Sequence, residues 1–254
     1  MNKILILILA ILSKLLQSIN QLNSKVFIYL NSLKNYLKQN ECQTYKHCVL
    51  LNKLKAGQPP CADRYLEYPW MVENIDIQKG KLLDVGSTAY ELLYESLPKT
   101  IEIHGINLNK QITQNKKIRF SKGDIRKTDY PDNYFNCITC ISTLEHIGVA
   151  GRYNSDNDPE GDIKAMQEMN RILKTDGILL VTVPYGIKDV LPINRLYDKE
   201  RIAKLFNGFD IVEQKFVKFN KKRNVWLRVN EKEAAKTDMI KDRWYAIALI
   251  KAKK

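Results

Sequence analysis

Short apolar runs recur at regular intervals through the middle of the chain. Runs of strand length occur at 81–85, 101–106, 118–121, 134–141 and 178–183. Before the last of them, residues 163–173 place apolar side chains three and four positions apart, which is the spacing of one helix face. This alternation predicts an α/β fold with a doubly wound, mostly parallel sheet that is covered by helices on both faces.

The first forty residues follow a different pattern. Ile4–Leu12 is an uninterrupted apolar run, but its nine residues are fewer than the ~20 that a membrane-spanning helix needs. From Leu12 to Leu37 apolar residues recur every three or four positions, and lysines accompany them at positions 14, 25, 34 and 38. The pattern predicts a basic amphipathic helix that precedes the α/β domain.

Three roles are open for this arm. A basic amphipathic helix can lie on an anionic membrane surface, which predicts peripheral membrane contact through residues 1–38. It can instead pack on its own domain or on a second copy of the chain. A cleaved secretory signal is the third reading, although no small-residue cleavage site follows the apolar run. The first of these roles predicts a cytoplasmic protein that associates with the inner face of the membrane, and we take it as the expectation.

The chain divides into an arm at 1–40, a lead-in at 41–80 that contains Pro59 and Pro60, and a domain at 81–254. With 254 residues, 44% of them hydrophobic, it can bury a sizeable core. The five cysteines are few and odd in number, which indicates reduced thiols rather than a disulfide framework. Cys137 and Cys140 are spaced as a zinc pair would be, but they lie in a predicted buried strand without a second pair.

The net charge of +13 is unevenly distributed. The charges of residues 81–190 sum to −1, whereas the preceding and following parts sum to +5 and +9. A nucleic-acid enzyme usually surrounds its cleft with basic charge, so the neutral centre argues against a nucleic-acid partner. RNA stays an alternative partner because basic residues cluster near the C-terminus, at Lys215, Lys218, Lys221, Lys222, Arg223 and Arg228.

Polar and small residues follow the ends of the predicted strands, where open α/β sheets bind their ligands. These residues are Asp84, Gly86 and Ser87 after the first strand, Asn107 after the second, Asp124 and Ile125 after the third, and Ser142, Glu145 and His146 after the fourth. Gly86 allows a sharp turn, and an acid beside an apolar residue suits an adenine ring. The G-x-G-x-x-G pattern of NAD-dependent oxidoreductases is absent from this turn.

Five segments in order over residues 81–186 resemble the motifs of class I S-adenosylmethionine-dependent methyltransferases, and especially the type 11 group. They are LLDVGS, GINLN, SKGDI, PDNYFNCITCISTLEHIG and EMNRILKTDGILLVTVP. The resemblance implies a seven-stranded sheet, with strands at 209–219 and 243–252 and an antiparallel strand between the fifth and sixth. It also implies S-adenosylmethionine as cofactor and methyl transfer to a small-molecule, sugar or lipid-linked acceptor.

The resemblance further assigns roles to the residues at the strand ends. It implies that Asp84, Gly86 and Ser87 form the first cofactor loop, that Asn107 contacts the ribose, that Asp124 and Ile125 contact the adenine, that Ser142 lies near the methionine part, and that Glu145 and His146 face the acceptor. The family usually has G-x-G in the first loop and an acid in place of Asn107. These departures leave open a catalytically inactive, methyltransferase-like binding or scaffold protein. The basic cluster near the C-terminus leaves open an RNA methyltransferase.

His146 is the candidate base, because an imidazole exchanges protons near neutral pH, although it could instead cap its loop or bond to the backbone. Four acids follow it at positions 156, 158, 160 and 162. They fit a solvated loop that caps the next helix, an acceptor-binding loop, or a site for a hard metal ion. Their spacing does not match an EF-hand, and we predict no metal site.

Overall fold

A computed structural model describes residues 63–87, 97–109, 118–150, 153, 155–187, 195–220, 225–242 and 245–254. The amphipathic arm predicted at 1–40 lies outside these residues, and so does the lead-in up to residue 62. Within the described ranges no helix is long and apolar enough to span a membrane.

Eight strands form one sheet in the described chain. They are β1 (Gly80–Val85), β2 (Ile101–Asn107), β3 (Ile118–Lys122), β4 (Phe135–Ile141), β5 (Leu173–Tyr185), β6 (Asp210–Asn220), β7 (Val225–Val229) and β8 (Ala246–Lys253). Their order across the sheet is β3-β2-β1-β4-β5-β8-β6-β7. The five strands from β1 to β5 match the predicted runs, although β5 begins five residues earlier.

The strand directions are those of the expected fold class. β1 to β4 pair in parallel with their neighbours, as do β4 and β5, whereas β8 is antiparallel to both β5 and β6. The prediction of an antiparallel strand between the fifth and sixth strands is therefore confirmed. The expected count of seven strands is one too low, because β7 adds to the edge as the antiparallel partner of β6.

Five helices accompany the sheet in the described ranges. They are α1 (Arg64–Asn74), α2 (Gly161–Ile172), α3 (Lys199–Leu205), α4 (Glu231–Ala235) and α5 (Met239–Asp242). A 3-10 turn spans Leu144–His146. The α2 bounds fall within two residues of the predicted helix, whereas α1 lies in the segment that the sequence analysis left as a lead-in.

One core layer lies between the sheet and α2. Leu83 of β1 and Ile138 of β4 pack there with Met166 and Met169 of α2. These residues are almost completely buried, because alternate side chains of a strand point to the same face and the apolar stripe of α2 covers them.

The second core layer lies on the other face, where α1 covers the sheet. Leu82 and Cys137 pack there with Trp70 and Met71 of α1. Cys137 is completely buried and burial raises the pKa of its thiol to about 12, so this side chain packs as an apolar core residue. Because α1 contributes to the core, its amino end is fixed relative to the strand ends that form the candidate site.

Candidate functional site

The predicted site residues meet at one edge of the sheet, which we call the carboxyl edge. β1, β2, β3 and β4 are parallel neighbours, so their carboxyl ends lie side by side. The chain order reverses between β1 and β4, and open α/β sheets bind ligands in the crevice at such a switch point. After the roles that the sequence resemblance implies, we call the residues after β1, β2 and β3 the cofactor half, and those after β4, with α1 and Thr182, the acceptor half.

Gly86 makes the turn after β1. Its φ of 73° lies in the left-handed region, and its backbone N–H donates to the carbonyl oxygen of Ile106 at 2.9 Å. A Cβ atom at this position would collide with the side chain of Thr143. The turn therefore requires glycine, both for its conformation and for the close approach of the β4 loop.

Asp84 is held at the end of β1 by the neighbouring strand. Thr139 lies opposite it in β4, and the buried Thr139 hydroxyl donates to the Asp84 carboxylate at 2.9 Å. This bond fixes the carboxylate in the crevice between β1 and β4. The structure thus brings Asp84 and Gly86 together as predicted.

Asn107 connects two loops of the cofactor half. Its Nδ2 donates to the carbonyl oxygen of Ser87 at 3.0 Å, and its Oδ1 accepts from the backbone N–H of Asn109 at 3.0 Å. Ser87 is buried. The neutral side chain that departs from the family pattern therefore stabilises the loops after β1 and β2.

Asp124 forms an ion pair that the sequence analysis did not anticipate. Its carboxylate accepts from the backbone N–H of Arg126 at 2.9 Å and from the guanidinium, at 2.6 Å from Nη2. Burial alone would raise the pKa of Asp124, but these hydrogen bonds outweigh it and hold the pKa below its usual range. Ile125, the predicted apolar partner, is buried in the core layer under α2.

Ser142 is the first residue of the acceptor half. It has a φ of 40°, and its backbone N–H donates to the Thr182 hydroxyl at 2.9 Å. Its own hydroxyl donates to Oε1 of Glu67 at 2.6 Å, and the Thr182 hydroxyl donates to the same oxygen at 2.6 Å. The loop after β4 is therefore fixed to a buried carboxylate of α1.

Glu67 and Arg64 are the functional candidates that the sequence analysis missed. Glu67 is completely buried, and the Arg64 guanidinium donates to its second carboxylate oxygen. Burial raises the pKa of Glu67, although the Arg64 charge opposes the rise. Asp63 before α1 and apolar residues at helical spacing within it were the available signals, but Pro69 obscures them.

Glu145 lies behind this pair in the 3-10 turn. Only 5% of it is exposed, and burial raises its pKa to about 8. Among the described residues no side chain or backbone group donates to its Oε2 atom. Carboxyl groups that exchange protons in catalysis are commonly buried and have raised pKa values.

His146 follows Glu145, and its Nε2 lies 3.8 Å from Oε1 of Glu145. Its ring contacts that of Tyr153 edge to face, with 5.1 Å between the centroids. The carbonyl oxygen of Tyr153 in turn lies within 3.5 Å of Nδ2 of Asn109. The two predicted catalytic residues are therefore adjacent to each other and to the loop after β2.

The four acids that follow His146 are all paired with basic side chains. Asp156 and Asp158 pair with Arg126, Glu160 pairs with Arg201, and Asp162 pairs with Arg195 and Arg201. These pairs link the loop to the cofactor half and to α3. Among the described residues no group of three or more side chains could hold a metal ion.

A cavity of about 540 Å³ opens at the opposite, amino edge of the sheet. Asn136 at the start of β4, Lys174 and Asp176 of β5, and Lys251 and Lys253 of β8 contribute to its wall. No predicted site residue lines it. It therefore lies apart from the candidate site.

Residues 98–252 match a family described as Caenorhabditis protein of unknown function, DUF268. This match includes every strand except β1, and all of the helices except α1.

Two curated proteins are similar in sequence. An uncharacterized methyltransferase, YcgJ of Bacillus subtilis (strain 168), is 25% identical over 48% of this chain and 50% of its own. The phosphoethanolamine N-methyltransferase of Plasmodium falciparum (isolate 3D7) is 25% identical over 60% of this chain and 57% of its own. The chain thus spans between half and three fifths of the length of these relatives.

Solved structures show the same fold at low sequence identity. The YcgJ crystal structure from Bacillus subtilis has a TM-score of 0.51 at 16% identity, covering 75% of this chain and 98% of its own. A Burkholderia thailandensis 1,6-didemethyltoxoflavin-N1-methyltransferase, solved with 1,6-didemethyltoxoflavin and S-adenosylhomocysteine bound, has a TM-score of 0.50 at 12% identity, covering 89% and 88%. The chain therefore has the class I methyltransferase fold.

Proposed function

We propose that this chain, which belongs to the DUF268 family and has the class I methyltransferase fold, is an S-adenosylmethionine-dependent methyltransferase with a small-molecule acceptor. The observation that supports this most directly is the Gly86 turn at the switch point between β1 and β4. Because Gly86 has no side chain, its backbone is accessible beside the Asp84 carboxylate. Open α/β sheets bind their ligands at this place in the fold.

The residues of the cofactor half fit the parts of S-adenosylmethionine. Asp84 offers carboxylate acceptors, and Asn107 retains one amide N–H and one lone pair after its two local bonds. We assign Asp84, Gly86 and Ser87 to the first cofactor loop, Asn107 to the ribose, Asp124 and Ile125 to the adenine, and Ser142 to the methionine part. When bound, the cofactor supplies a methyl group whose bond to sulfur breaks, with both electrons left on sulfur, as the acceptor's lone pair bonds the methyl carbon.

The acceptor half supplies the groups that move a proton. An acceptor that loses a proton needs a base within hydrogen-bond reach, and a base with a pKa near the working pH transfers protons efficiently. Glu145, with a pKa of about 8, meets the second condition, and the imidazole of His146 lies beside it, with Nε2 3.8 Å from Oε1 of Glu145. We propose both as catalytic residues that contact the acceptor, with the Ser142 and Glu67 pair holding their loop in place.

Two similarities support a small-molecule acceptor. The Plasmodium falciparum relative is named as a phosphoethanolamine N-methyltransferase, and the Burkholderia thailandensis structure contains 1,6-didemethyltoxoflavin. Sugar and lipid-linked acceptors, and peripheral membrane contact through residues 1–38, are proposals supported by the amphipathic pattern of the sequence. Flotation of the full chain with anionic vesicles tests the membrane contact, with Lys14, Lys25, Lys34 and Lys38 changed to Gln as the comparison.

One observation favours a catalytically inactive binding protein as the second candidate. Arg126 bonds both carboxylate oxygens of Asp124, so an adenine amino group would compete with an existing ion pair for the same acceptor. A protein of this kind would bind the cofactor weakly or not at all, and would not transfer methyl groups.

Calorimetric titration of the full chain with S-adenosylhomocysteine tests the proposal. We expect micromolar binding that Asp84→Asn weakens at least tenfold, whereas the exposed Asp129→Asn has no effect. Binding that is absent, or that responds equally to the two substitutions, would rule out the proposed cofactor site.

A further inference from the structure

Two carboxyl groups lie beside one guanidinium at the amino end of α1, and a third is near enough to interact with it electrostatically. Arg64 bonds Glu67, and its Nη1 lies 3.9 Å from Asp63. Glu145 is close enough that the charges of Arg64, Glu67 and Asp63 all act on its carboxyl group. We call Asp63, Glu67 and Glu145 the carboxyl cluster; when all three are ionised, Arg64 balances one of their charges.

The members of this cluster differ in how their oxygens are satisfied. Asp63 accepts from the Tyr245 hydroxyl at 2.7 Å, and Glu67 accepts from Ser142, Thr182 and Arg64. Glu145 differs, because none of the described residues donates to its Oε2. A buried carboxylate oxygen without a donor is costly, so its persistence points to a donor that the chain does not supply.

A protonated amine supplies both the positive charge and the hydrogen-bond donors that the carboxyl cluster lacks. It brings a positive charge to a cluster with excess negative charge, and it has N–H donors for the free oxygen of Glu145. A neutral hydroxyl acceptor would satisfy the oxygen with its one donor but would leave the charge unbalanced. The site therefore favours a cationic nitrogen over an alcohol of similar size.

We propose that the carboxyl cluster binds the protonated amine of the methyl acceptor, with Glu145 as the residue that contacts it and takes its proton. This inference rests on the proposed function, because it identifies the acceptor atom as nitrogen.

In the proton transfer, an N–H bond of the ammonium group breaks and its electron pair stays on nitrogen, while an O–H bond forms on Glu145. Nitrogen thereby gains the lone pair that a nucleophile needs. The raised pKa of Glu145, about 8, makes it a stronger base than an ordinary carboxylate.

Binding of two matched probes to the full chain saturated with S-adenosylhomocysteine tests this inference. The probes are ethanolamine and ethylene glycol, which have similar size and differ in one amino group. We expect ethanolamine to bind at least tenfold more tightly, and Glu145→Gln to remove this preference. Glu200→Gln, which changes an exposed glutamate of α3, is the control and should keep it.

Proton release gives a second readout that a merely structural role would not change. Near neutral pH the buried Glu145 is largely protonated, so it releases a proton when it binds ammonium. Calorimetry in two buffers of different ionisation enthalpy should detect this release in the wild type and in Glu200→Gln, but not in Glu145→Gln.

The experiments distinguish failure of the proposed function from failure of the amine inference. If S-adenosylhomocysteine does not bind, the proposed function is wrong and this inference falls with it. If it binds but ethanolamine shows no preference over ethylene glycol, including no detectable binding of either, the amine inference alone is overturned. A preference that persists in Glu145→Gln would also overturn it.

Discussion

Carboxyl groups in the two halves of the carboxyl edge have pKa values shifted in opposite directions. In the cofactor half Asp124 is paired with Arg126, Asp84 is bonded by Thr139, and the pKa of Asp124 lies below its usual range. In the acceptor half burial raises the pKa of both Glu67 and Glu145. Asp124 is thus held ionised in a fixed position, whereas burial in the acceptor half favours the protonated form of Glu145.

This difference corresponds to two kinds of task. A binding site benefits from groups whose geometry is fixed by neighbouring hydrogen bonds before the ligand arrives. A group that exchanges protons needs a pKa near the working pH, and burial is a direct way to raise the pKa of a carboxyl group. The comparison therefore supports our proposal that the cofactor half mainly binds and the acceptor half transfers protons.

The largest effect should come from Glu145→Gln, through the pH dependence of stability. Folded Glu145 keeps its proton up to a pH of about 8, whereas an ordinary glutamate loses it near its usual pKa of 4.5. Between these values the folded state binds more protons than the unfolded state, so stability falls as pH rises. The fall should amount to roughly 3–5 kcal/mol in the wild type and should be much smaller in Glu145→Gln, as measured by urea unfolding across this range.

Glu145 is not the only contributor to this pH dependence, because Glu67 also has a raised pKa and remains in the variant. The slope should therefore decrease without vanishing. The titratable and charged groups that face Glu145 are Asp63, Arg64 and Glu67 from α1, Cys140 and His146 from the β4 side, Tyr197, and Tyr245 before β8. An unchanged slope would show that Glu145 titrates normally.

The next largest effect should come from Gly86→Ala, which should weaken cofactor binding. The substitution places a Cβ on a residue with a φ of 73° and forces it against Thr143. We expect the affinity for S-adenosylhomocysteine to fall roughly a hundredfold, or about 2.7 kcal/mol. Gly208→Ala is the matched control, since its φ is 88° but its nearest neighbour, Asn170 Nδ2, is at an ordinary 3.4 Å. Equal binding losses in the two variants would mean that strain, rather than the position of Gly86, is responsible.

Arg126→Gln should have an intermediate effect. It removes the guanidinium that pairs with Asp124 and Asp158, so the pKa of Asp124 should rise towards its usual value or above it. We expect a loss of about 1–2 kcal/mol in unfolding free energy near neutral pH, read from chemical denaturation. If cofactor affinity increases once Asp124 is free, the ion pair does compete with the adenine and the second candidate function gains support. An unchanged affinity would remove its supporting observation.

The smallest effects should come from a pair of identical substitutions on neighbouring strands. Thr139→Val removes the hydroxyl that bonds Asp84, and Thr182→Val removes one that bonds Glu67; both residues are buried. We expect Thr139→Val to weaken S-adenosylhomocysteine binding by about 1 kcal/mol, and Thr182→Val, which acts only through Ser142, to weaken it less. A reversed pattern in calorimetry would contradict the division between the two halves.

The sequence predicts the parallel part of the sheet closely, because buried strands are local features. The runs at 101–106 and 118–121 become β2 and β3 with one residue added to each. The residues at the strand ends were also predictable, since topology brings the ends of parallel strands together. β7 was missed because its five residues have no pattern of their own beyond pairing with β6.

The acceptor half depends on contacts that no local pattern reveals. Glu67 bonds Ser142 across 75 positions and Thr182 across 115. The ion pair of Asp124 with Arg126 spans two positions, but whether neighbouring charges pair depends on the turn that brings them together. The identity of the residues at the edge could thus be predicted, whereas their partners and pKa values required the packing of α1.

Photochemical crosslinking of methyl-labelled S-adenosylmethionine to the full chain, followed by mapping of the labelled peptides, tests the location of the site most directly. Our account predicts label in peptides from the carboxyl edge, around Asp84–Ser87 and Ser142–His146, and its loss in Gly86→Ala. Label confined to peptides that line the amino-edge cavity, around Lys174–Ile178 and Lys251–Lys253, would contradict it.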